Sequence, residues 1–250
     1  MPDLICTESC SGKMTIVDLT HTLDAGSPYW PEKTPGSPFH TIVATTHAED
    51  GNFTLNLAMP EHFGTHLDAP LHFVPNGESV DQIPVEKFFA PAVVIDVSFA
   101  VERDSDYRVT VQDIERWIDR HGAIPSGALV FFRTGWDARW PSQEKYMNAD
   151  ANGVLHFPGL SVEAASFLLD RARPVGIGID TASVDYGPSR DFPVHNLTLP
   201  AGIYHLENVP NLDRLPATGF SIVALPLKLG GGSGAPARVL ALIPFESEIG

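Results

Sequence analysis

Eight short apolar runs, rich in β-branched and aromatic residues, constrain the fold of this chain more than any other feature. Each run has the length of a β-strand. They span residues 15–19, 41–46, 53–59, 92–97, 129–132, 175–179, 221–225 and 238–243. Two segments have helical periodicity, 110–121 with Thr110 as a candidate N-cap and 161–173, and each precedes a strand. The sequence therefore predicts an α/β fold with a β-rich mixed sheet or barrel-like core and flanking helices.

The chain is predicted to be a single domain that follows a short leader. Its 250 residues, of which 43% are hydrophobic, can bury a sizeable core. We find no internal repeat and no linker that separates two domains. Residues 1–13 carry little periodic structure and hold both cysteines, Cys6 and Cys10, which we interpret as free thiols. We expect a flexible leader over residues 1–13 and one domain over residues 14–250.

The charge pattern excludes several classes of partner. Lys and Arg number 16 against 31 Asp and Glu, which gives a net charge of -15, and no basic run could grip phosphates. No stretch approaches the roughly 18 consecutive apolar residues of a membrane span, and no basic region followed by an apolar one opens the chain. We expect a cytoplasmic protein that binds neither nucleic acid nor membrane.

The segment HFGTHLDAPLHF carries the side chains that point most directly to chemistry, at even positions: His62, His66, Asp68 and His72. On a straight strand they share one face, but His62 and His66 then lie about 13 Å apart, which is far for two ligands of one ion. Gly64 permits a bend, and Pro70 argues against a continuous helix. We therefore expect a bulged strand end or a loop that wraps imidazoles around a cation.

The spacing by itself leaves several interpretations open. Two imidazoles and a carboxylate suit zinc, manganese or iron(II), and they leave positions for water and substrate. Histidines near a core also commonly hydrogen-bond to backbone groups. An iron(II) oxygenase and a non-catalytic small-molecule binding protein are further alternatives. Covalent acyl transfer is disfavoured, because the chain has no GxSxG motif and no cysteine placed beside a base.

Residues outside that segment give weaker signals. Trp30 lies in a loop over residues 26–39 that holds four prolines, where it either covers an aromatic substrate or packs on the core. His156 lies beside Phe157 and Pro158, and only this context supports a role in the site, so we leave it out. Asp180 and Asp185 follow an apolar strand and are interpreted as structural support.

HFGTHLDAPLHF resembles the signature of the cyclase family of metal-dependent hydrolases, which includes bacterial kynurenine formamidases and isatin hydrolases. The likeness runs from about Ile16 to the C-terminus. Supporting segments are VDLTHTL at 17–23, PYWPEKTPG at 28–36, GIDTASVD at 178–185, FPVHNLTL at 192–199 and LENVPNL at 206–212. The resemblance implies a swivelling β/β/α fold and hydrolysis of a small-molecule amide, a C–N bond other than a peptide bond, by metal-activated water.

The resemblance also implies the roles of individual residues. It makes three of them ligands of a first metal ion: His62, His66 and Asp68. It gives His72 the acid/base role. His195 and Glu207 match the pair that, in the kynurenine formamidases, joins the shared aspartate around a second ion, so that Asp68 bridges two metals.

The isatin hydrolases resemble this chain in other segments. They share RTGWDARW at 133–140 and HFPGLS at 156–161, but they lack the glutamate that matches Glu207 and work with one metal. The resemblance therefore implies one or two zinc or manganese ions per subunit. The substrate is expected to be an aryl formamide or a cyclic amide, and the assembly a homodimer or homotetramer.

Overall fold

The computed structural model describes residues 5–8, 13–31 and 36–245. Within these residues the β-strands are β1 Ile5–Glu8, β2 Lys13–Asp18, β3 His40–Thr45, β4 Thr54–Ala58, β5 His66–Asp68, β6 Phe89–Asp96, β7 Arg108–Val109, β8 Leu129–Arg133, β9 Gly159–Leu160, β10 Gly176–Ile179, β11 Tyr204–Glu207, β12 Phe220–Pro226 and β13 Gly234–Pro244. The α-helices are α1 His47–Asp50, α2 Ser98–Val101, α3 Val111–His121, α4 Gln143–Met147, α5 Val162–Arg171 and α6 Pro193–Thr198. Short 3₁₀ turns cover Pro70–His72, Val85–Phe88, Trp136–Arg139, Leu199–Ala201 and Leu212–Arg214.

The two long helices begin where the sequence predicts them. Thr110 caps α3: its side chain accepts a hydrogen bond from the backbone N–H of Asp113, and the Asp113 carboxylate accepts one from the backbone N–H of Thr110. Ser161 caps α5 in the same way through the N–H of Ala164. Such caps satisfy donors that a helix start leaves free, which explains why short polar residues mark both boundaries.

Seven of the described strands close into a mixed barrel. Their order is β13-β12-β6-β8-β10-β11-β5, and β5 pairs back onto β13. Strands β6, β8, β10 and β11 run parallel, so the chain must cross over between them, and α3, α5 and α6 lie in those crossovers. The barrel core and flanking helices expected from the sequence are confirmed.

Alternating side chains of the barrel strands fill two separate apolar clusters. Val93 and Ile95 of β6 pack outward in the cluster that contains helix residues such as Ile114 and Leu168. Ala92 and Val94 point the other way, into a cluster formed by barrel strands. This alternation follows from the strand's two-residue period, and it makes the barrel interior a packed core.

The strands that the sequence did not predict are short or polar. All eight predicted apolar runs form strands, whereas β5, β7, β9 and β11 hold two to four residues each. The bend expected before β5 is present, because Gly64 has a φ of 65° and Pro70 begins a 3₁₀ turn. A Cβ at Gly64 would also lie 2.0 Å from Leu23 Cδ2, so both the backbone and the packing favour glycine there.

Residues 5–8 of the expected leader form β1, which pairs antiparallel with β2. This strand was not predicted from the sequence. Residues 1–4 and 9–12, and with them Cys10, lie outside the described residues, so the flexible leader and its free thiols stay predictions.

A separate hairpin of β3 and β4 stands apart from the barrel sheet. Every residue of β4 and all but the last of β3 are exposed. Among the described helices, none has the length and apolar character that crossing a membrane requires.

Candidate active site

The pairing of β5 with β11 creates a polar patch on the outer face of the barrel, because Leu67 and Leu206, at the alternate positions, turn into the barrel core. The antiparallel register places His205 opposite Asp68 and Glu207 opposite His66. Residues directly opposite each other project to the same face, so these side chains form one cluster. His66 Nδ1 donates to the carbonyl oxygen of Gly64 at 2.9 Å, which turns Nε2 toward Asp68 Oδ1 at 3.2 Å and Glu207 Oε2 at 3.5 Å.

His62 and His72 approach the same cluster from the segments on either side of β5. His62 Nδ1 lies 2.6 Å from Asp68 Oδ1, and its Nε2 lies 2.9 Å from Ser233 Oγ. Gly234 makes room for this ring, because a Cβ there would lie 2.5 Å from His62 Cε1. The His72 ring stacks on that of His62 at a centroid distance of 4.0 Å.

His195 is contributed by α6 and is held by Asp185. The Asp185 carboxylate accepts hydrogen bonds from the backbone N–H groups of Val194 and His195 and lies 2.7 Å from His195 Nδ1. His195 Nε2 therefore faces the cluster, 3.5 Å from Asp68 Oδ2 and 3.5 Å from Glu207 Oε1. Carboxylates commonly orient metal-ligating histidines in this way. The structural support expected of Asp185 is thus aimed at the site.

His205 is the member of the cluster that sequence analysis missed. Its ring is fully buried, with Nε2 2.7 Å from Thr198 Oγ1 and Nδ1 3.6 Å from Asp68 Oδ2. The available signal was its two-residue spacing from Glu207, which places both side chains on one face of a strand. That signal requires β11 to be recognised as a strand, and YHLE lacks the apolar run that predicts one.

The cluster attracts positive charge. Burial favours the neutral form of Asp68, but the neighbouring histidines, His66 first, outweigh burial and hold its pKa well below the usual range. Burial lowers the pKa of His66, yet Asp68 and Glu207 outweigh it and raise that pKa to about 9. In the described part of the chain, no Lys or Arg lines the cavity beside these two buried carboxylates. Positive charge from protonated histidines or from a bound metal ion offsets the charge of the two carboxylates.

His72 has the opposite electrostatic character. Burial is the largest effect on its ring, and the nearby rings of His62 and His195 add to it, so the pKa of His72 is lowered to about 4. Its imidazole is therefore neutral near pH 7, which suits a group that accepts a proton during catalysis.

The donor atoms fit a metal centre. Two sets of groups have potential ligand atoms within 4.8 Å of one another, and they share Asp68: Asp68, His195, His205 and Glu207; and His62, Asp68 and His72. Within the described residues, the buried atoms Asp68 Oδ2 and His205 Nδ1 have no hydrogen-bond partner. Imidazole nitrogens and carboxylate oxygens are the donors that zinc and manganese accept. The residues present therefore fit one or two ions. One set contains the expected ligands of a second ion, Asp68, His195 and Glu207, whereas the set around His62 contains His72 in the place where the resemblance implies His66.

A cavity of about 420 Å³ opens onto this cluster. Its wall includes His62, His66, His72, His195 and Glu207, and an aromatic side formed by Trp30, Phe73 and Phe192. Trp30 is 39% exposed, and its ring lies 6.1 Å from that of Phe192 and 6.2 Å from that of Phe157. A pocket of this size and lining is typical of small-molecule sites.

Five of the six metal and acid/base residues singled out in the sequence thus line one cavity, together with Trp30, and the sixth, Asp68, is buried directly behind His62 and His66. Two other candidates do not line it. His156 pairs with Asp106, at 2.7 Å between Nδ1 and Oδ2. Asp180 accepts hydrogen bonds from the backbone N–H groups of Thr134 and Gly135, as expected of a structural carboxylate.

Comparisons with known proteins agree with this geometry. A family model described as putative cyclase matches residues 17–186. An isatin hydrolase of Roseibium aggregatum is 35% identical over 94% of both chains. A kynurenine formamidase of Salinibacter ruber is 28% identical over 91% of this chain and 97% of its own.

A solved structure of a related protein has the same fold as this chain. Isatin hydrolase A from Labrenzia aggregata, determined with benzyl benzoate bound, is 40% identical to this chain. It superposes with a TM-score of 0.85 over 92% of this chain and 94% of its own. Since these matches span most of the sequence, the chain belongs to the cyclase family of metal-dependent hydrolases.

Proposed function

We propose that this hydrolase opens a C–N bond, other than a peptide bond, in a small aromatic amide. The observation that carries the proposal is the cavity itself, in which a cluster of metal-binding side chains faces the rings of Trp30, Phe73 and Phe192. Aromatic rings pack favourably on one another in offset or edge-on geometry, so this wall suits an aryl group. Family membership favours hydrolysis over the iron(II) oxygenase and over the non-catalytic binding protein.

Two substrate types are supported by different observations. A cyclic amide such as isatin is supported by the 35% identity to an isatin hydrolase. An N-formyl aromatic amide is supported by Glu207, which lies in the cluster at the position where the resemblance implies a second metal ligand. Both substrates carry an amide whose nitrogen is bonded to an aromatic ring, and a cavity of about 420 Å³ is in the usual range for sites that bind small molecules.

The residues divide the chemistry among them. His62, His66 and Asp68 would hold a first divalent ion, zinc or manganese in this proposal, and Asp68, His195 and Glu207 would hold a second. When bound, such an ion would lower the pKa of a water molecule to about 7 and would polarise the amide carbonyl. Neutral His72 takes a proton from the attacking water and passes it to the departing nitrogen, so that a C–O bond forms as the C–N bond breaks.

Trp30 is proposed to cover the aryl group. Its side chain lines the cavity, and its contacts with Phe157 and Phe192 hold the indole in place. Phe192 has a φ of 46°, a conformation that a bulky residue rarely adopts and that is often retained at functional sites.

The assembly is proposed to be a homodimer, or a homotetramer built from dimers, that acts in the cytoplasm without nucleic acid or membrane. The exposed apolar side chains of the β3–β4 hairpin support association with a second copy of the chain.

Metal analysis combined with a hydrolysis screen tests the function. The purified protein is analysed for bound zinc, manganese and iron, and is then assayed with isatin, N-formylkynurenine and simple aryl formamides. We expect metal-dependent hydrolysis that a chelator abolishes and added metal restores. Oxygen consumption, or absence of turnover on every aromatic amide in the presence of bound metal, would contradict the proposal.

A further inference from the structure

His205 has one ring nitrogen that is committed to a hydrogen bond and one that is not. The Thr198 hydroxyl donates its single proton to the carbonyl oxygen of Val194, at 2.7 Å. The same oxygen lies 2.7 Å from His205 Nε2, so it must accept from that nitrogen. His205 therefore carries its proton on Nε2, and Nδ1 presents a lone pair to the cluster.

That lone pair faces a second acceptor. His205 Nδ1 lies 3.6 Å from Asp68 Oδ2, and over the part of the chain that the structure describes neither atom has a hydrogen-bond donor. The separation exceeds the length of a hydrogen bond, so a proton between them does not explain it. Two buried acceptors that face each other are unfavourable unless a cation lies between them.

Three of the six separations among the four donor atoms match such a cation, and all six are within 4.8 Å. Four ligands at about 2.0 to 2.2 Å from a tetrahedral ion are separated from one another by about 3.3 to 3.6 Å. The observed separations are 3.5 Å for His195 Nε2 to Asp68 Oδ2, 3.5 Å for His195 Nε2 to Glu207 Oε1 and 3.6 Å for His205 Nδ1 to Asp68 Oδ2.

We propose that His205 is a fourth protein ligand of the second ion, bound through Nδ1 together with Asp68, His195 and Glu207. All four side chains are buried, and four protein donors fill a tetrahedral coordination sphere. Structural metal sites have four protein ligands, whereas catalytic sites keep a position open. The second ion is thus the tightly held, structural one, and the ion at His62, His66 and Asp68 is the one that meets water and substrate.

The inference rests on the proposed metal dependence but not on the identity of the substrate. Metal-free protein is titrated with zinc or cobalt(II) by calorimetry, and bound metal is counted after dialysis. We expect two ions per wild-type chain. His205→Phe, which keeps a ring of similar shape, should weaken one binding step by at least about 10- to 100-fold and leave the other unchanged.

Two further measurements separate a lost ligand from a disturbed fold. Thr198→Val removes the hydroxyl that fixes the His205 ring but keeps Nδ1 available, so it should weaken the same step less than His205→Phe does. In the wild type, nitrogen NMR of the histidine rings should show His205 protonated at Nε2, with a Nδ1 signal that shifts when the second ion binds. The NMR measurement does not depend on whether a variant folds.

Several results would overturn the inference. The first is binding of a single ion by the wild type, and the second is a folded His205→Phe variant in which both binding steps are unchanged. The third is a His205 Nδ1 signal whose chemical shift does not change when metal is added. If hydrolysis of aromatic amides persists in those cases, the proposed function stands and only the role of His205 fails. If His205→Phe loses one ion but the wild type hydrolyses no amide, the function fails and the ligand assignment stands.

Discussion

The pKa values of neighbouring histidines in this cavity differ because the groups around them differ. His66 faces two carboxylates and has a raised pKa, whereas His72 stacks on another imidazole and has a pKa lowered to about 4. A histidine beside carboxylates lies where a cation is stabilised, whereas a neutral imidazole can accept a proton. The two positions should therefore respond differently to substitution.

We predict that His66→Ala lowers both metal content and activity, because a site with few protein ligands binds poorly without one of them. His72→Ala should retain metal and lose turnover by about 10²- to 10⁴-fold, which is the usual contribution of acid/base catalysis. Metal analysis and steady-state kinetics measure both effects. His121→Ala, an exposed histidine at the end of α3, is the matched control. Equal loss of metal in both cavity variants would make His72 a ligand, as its proximity to His62 and Asp68 also allows.

A different histidine predicts the pH dependence of stability. His21 stacks on Trp140 at a centroid distance of 3.9 Å, and burial lowers its pKa to about 4. The unfolded chain, with a pKa near 6.5, binds a proton before the native state does. Protonation of His21 in the unfolded chain therefore lowers the free energy of unfolding as the pH falls from 6.5 to 4, by up to about 1.4 kcal/mol per pH unit.

His21→Phe should keep the stacking on Trp140 and remove that loss. Thermal unfolding of chelator-treated protein between pH 7 and 4.5, followed by circular dichroism, gives the melting temperature of both forms. The melting temperature of the variant should fall less steeply with acid than that of the wild type. Parallel curves would show that His21 gains its proton at the same pH in the folded and unfolded chain.

At the residue scale, the sequence located most of the site and missed what strand pairing creates. His62, His66, Asp68 and His72 are recognisable because they share one short segment. His195 and Glu207 were recognised only through family resemblance, since nothing in their local sequence shows that they meet Asp68. His205 escaped notice because its neighbour across the sheet, Asp68, is defined only by the register of β5 and β11.

At the element scale, a short strand holds a ligand-orienting segment in place. Leu160 of β9 donates its backbone N–H to Val184 at 2.8 Å, beside Asp185, the carboxylate that orients His195. Gly159 packs against the backbone there: a Cβ would lie 2.3 Å from Tyr186 N and 2.4 Å from Asp185 C. Neither neighbour is a flexible side chain, so any side chain at residue 159 must displace main chain.

We predict that Gly159→Ala destabilises the protein by about 1 to 3 kcal/mol, the usual cost of overpacking. It should also weaken metal binding, because moving Asp185 releases His195. Urea unfolding and metal titration measure the two effects. Gly230→Ala is the control, since nothing lies within 4 Å of a Cβ built there. An unchanged urea midpoint for Gly159→Ala would mean that β9 can move to accommodate the added methyl group without loss of stability.

The elements that the sequence predicted are those whose pattern is local. Apolar runs and capping residues lie within one segment, which explains why eight strands and both long helices were found. Strands β5 and β11 carry site residues at alternate positions, so polar side chains replace the apolar pattern that marks a strand. Function there overrides the local signal.

At the scale of the whole molecule, barrel closure depends on a contact between distant parts of the chain. Residues 66–68 pair with residues 234–236, and this contact turns an open sheet into a ring. Composition and periodicity predicted a mixed sheet or barrel-like core but could not choose between the two, because closure depends on strand register. The same contact brings Gly234 and Ser233 against His62.

The β3–β4 hairpin is the part of the described molecule that most needs a partner. Val43, Leu55 and Leu57 lie on one face of it, through the pairs Val43–Leu55 and Thr41–Leu57, and each is about half exposed. Isolated two-stranded ribbons are marginally stable in water. Over residues 36–60 the only charged side chains are Glu49 and Asp50, in a chain whose net charge of -15 opposes association elsewhere. A second copy of the chain can therefore cover this face without bringing acidic surfaces together.

We predict that Leu57→Glu disrupts this association, because it places a charge in the apolar face of each copy. Light scattering coupled to size-exclusion chromatography should give the wild type at least twice the 27.1 kDa chain mass, and the variant one chain mass at the same concentration. Val85→Glu is the matched control, since Val85 is 67% exposed and lies away from the hairpin, before β6. Circular dichroism should show the same secondary structure in all three proteins, so that a lower mass reports dissociation and not unfolding. A wild type that is monomeric at micromolar concentration, or a Leu57→Glu protein that keeps the wild-type mass, would show that the hairpin face is not where two copies meet.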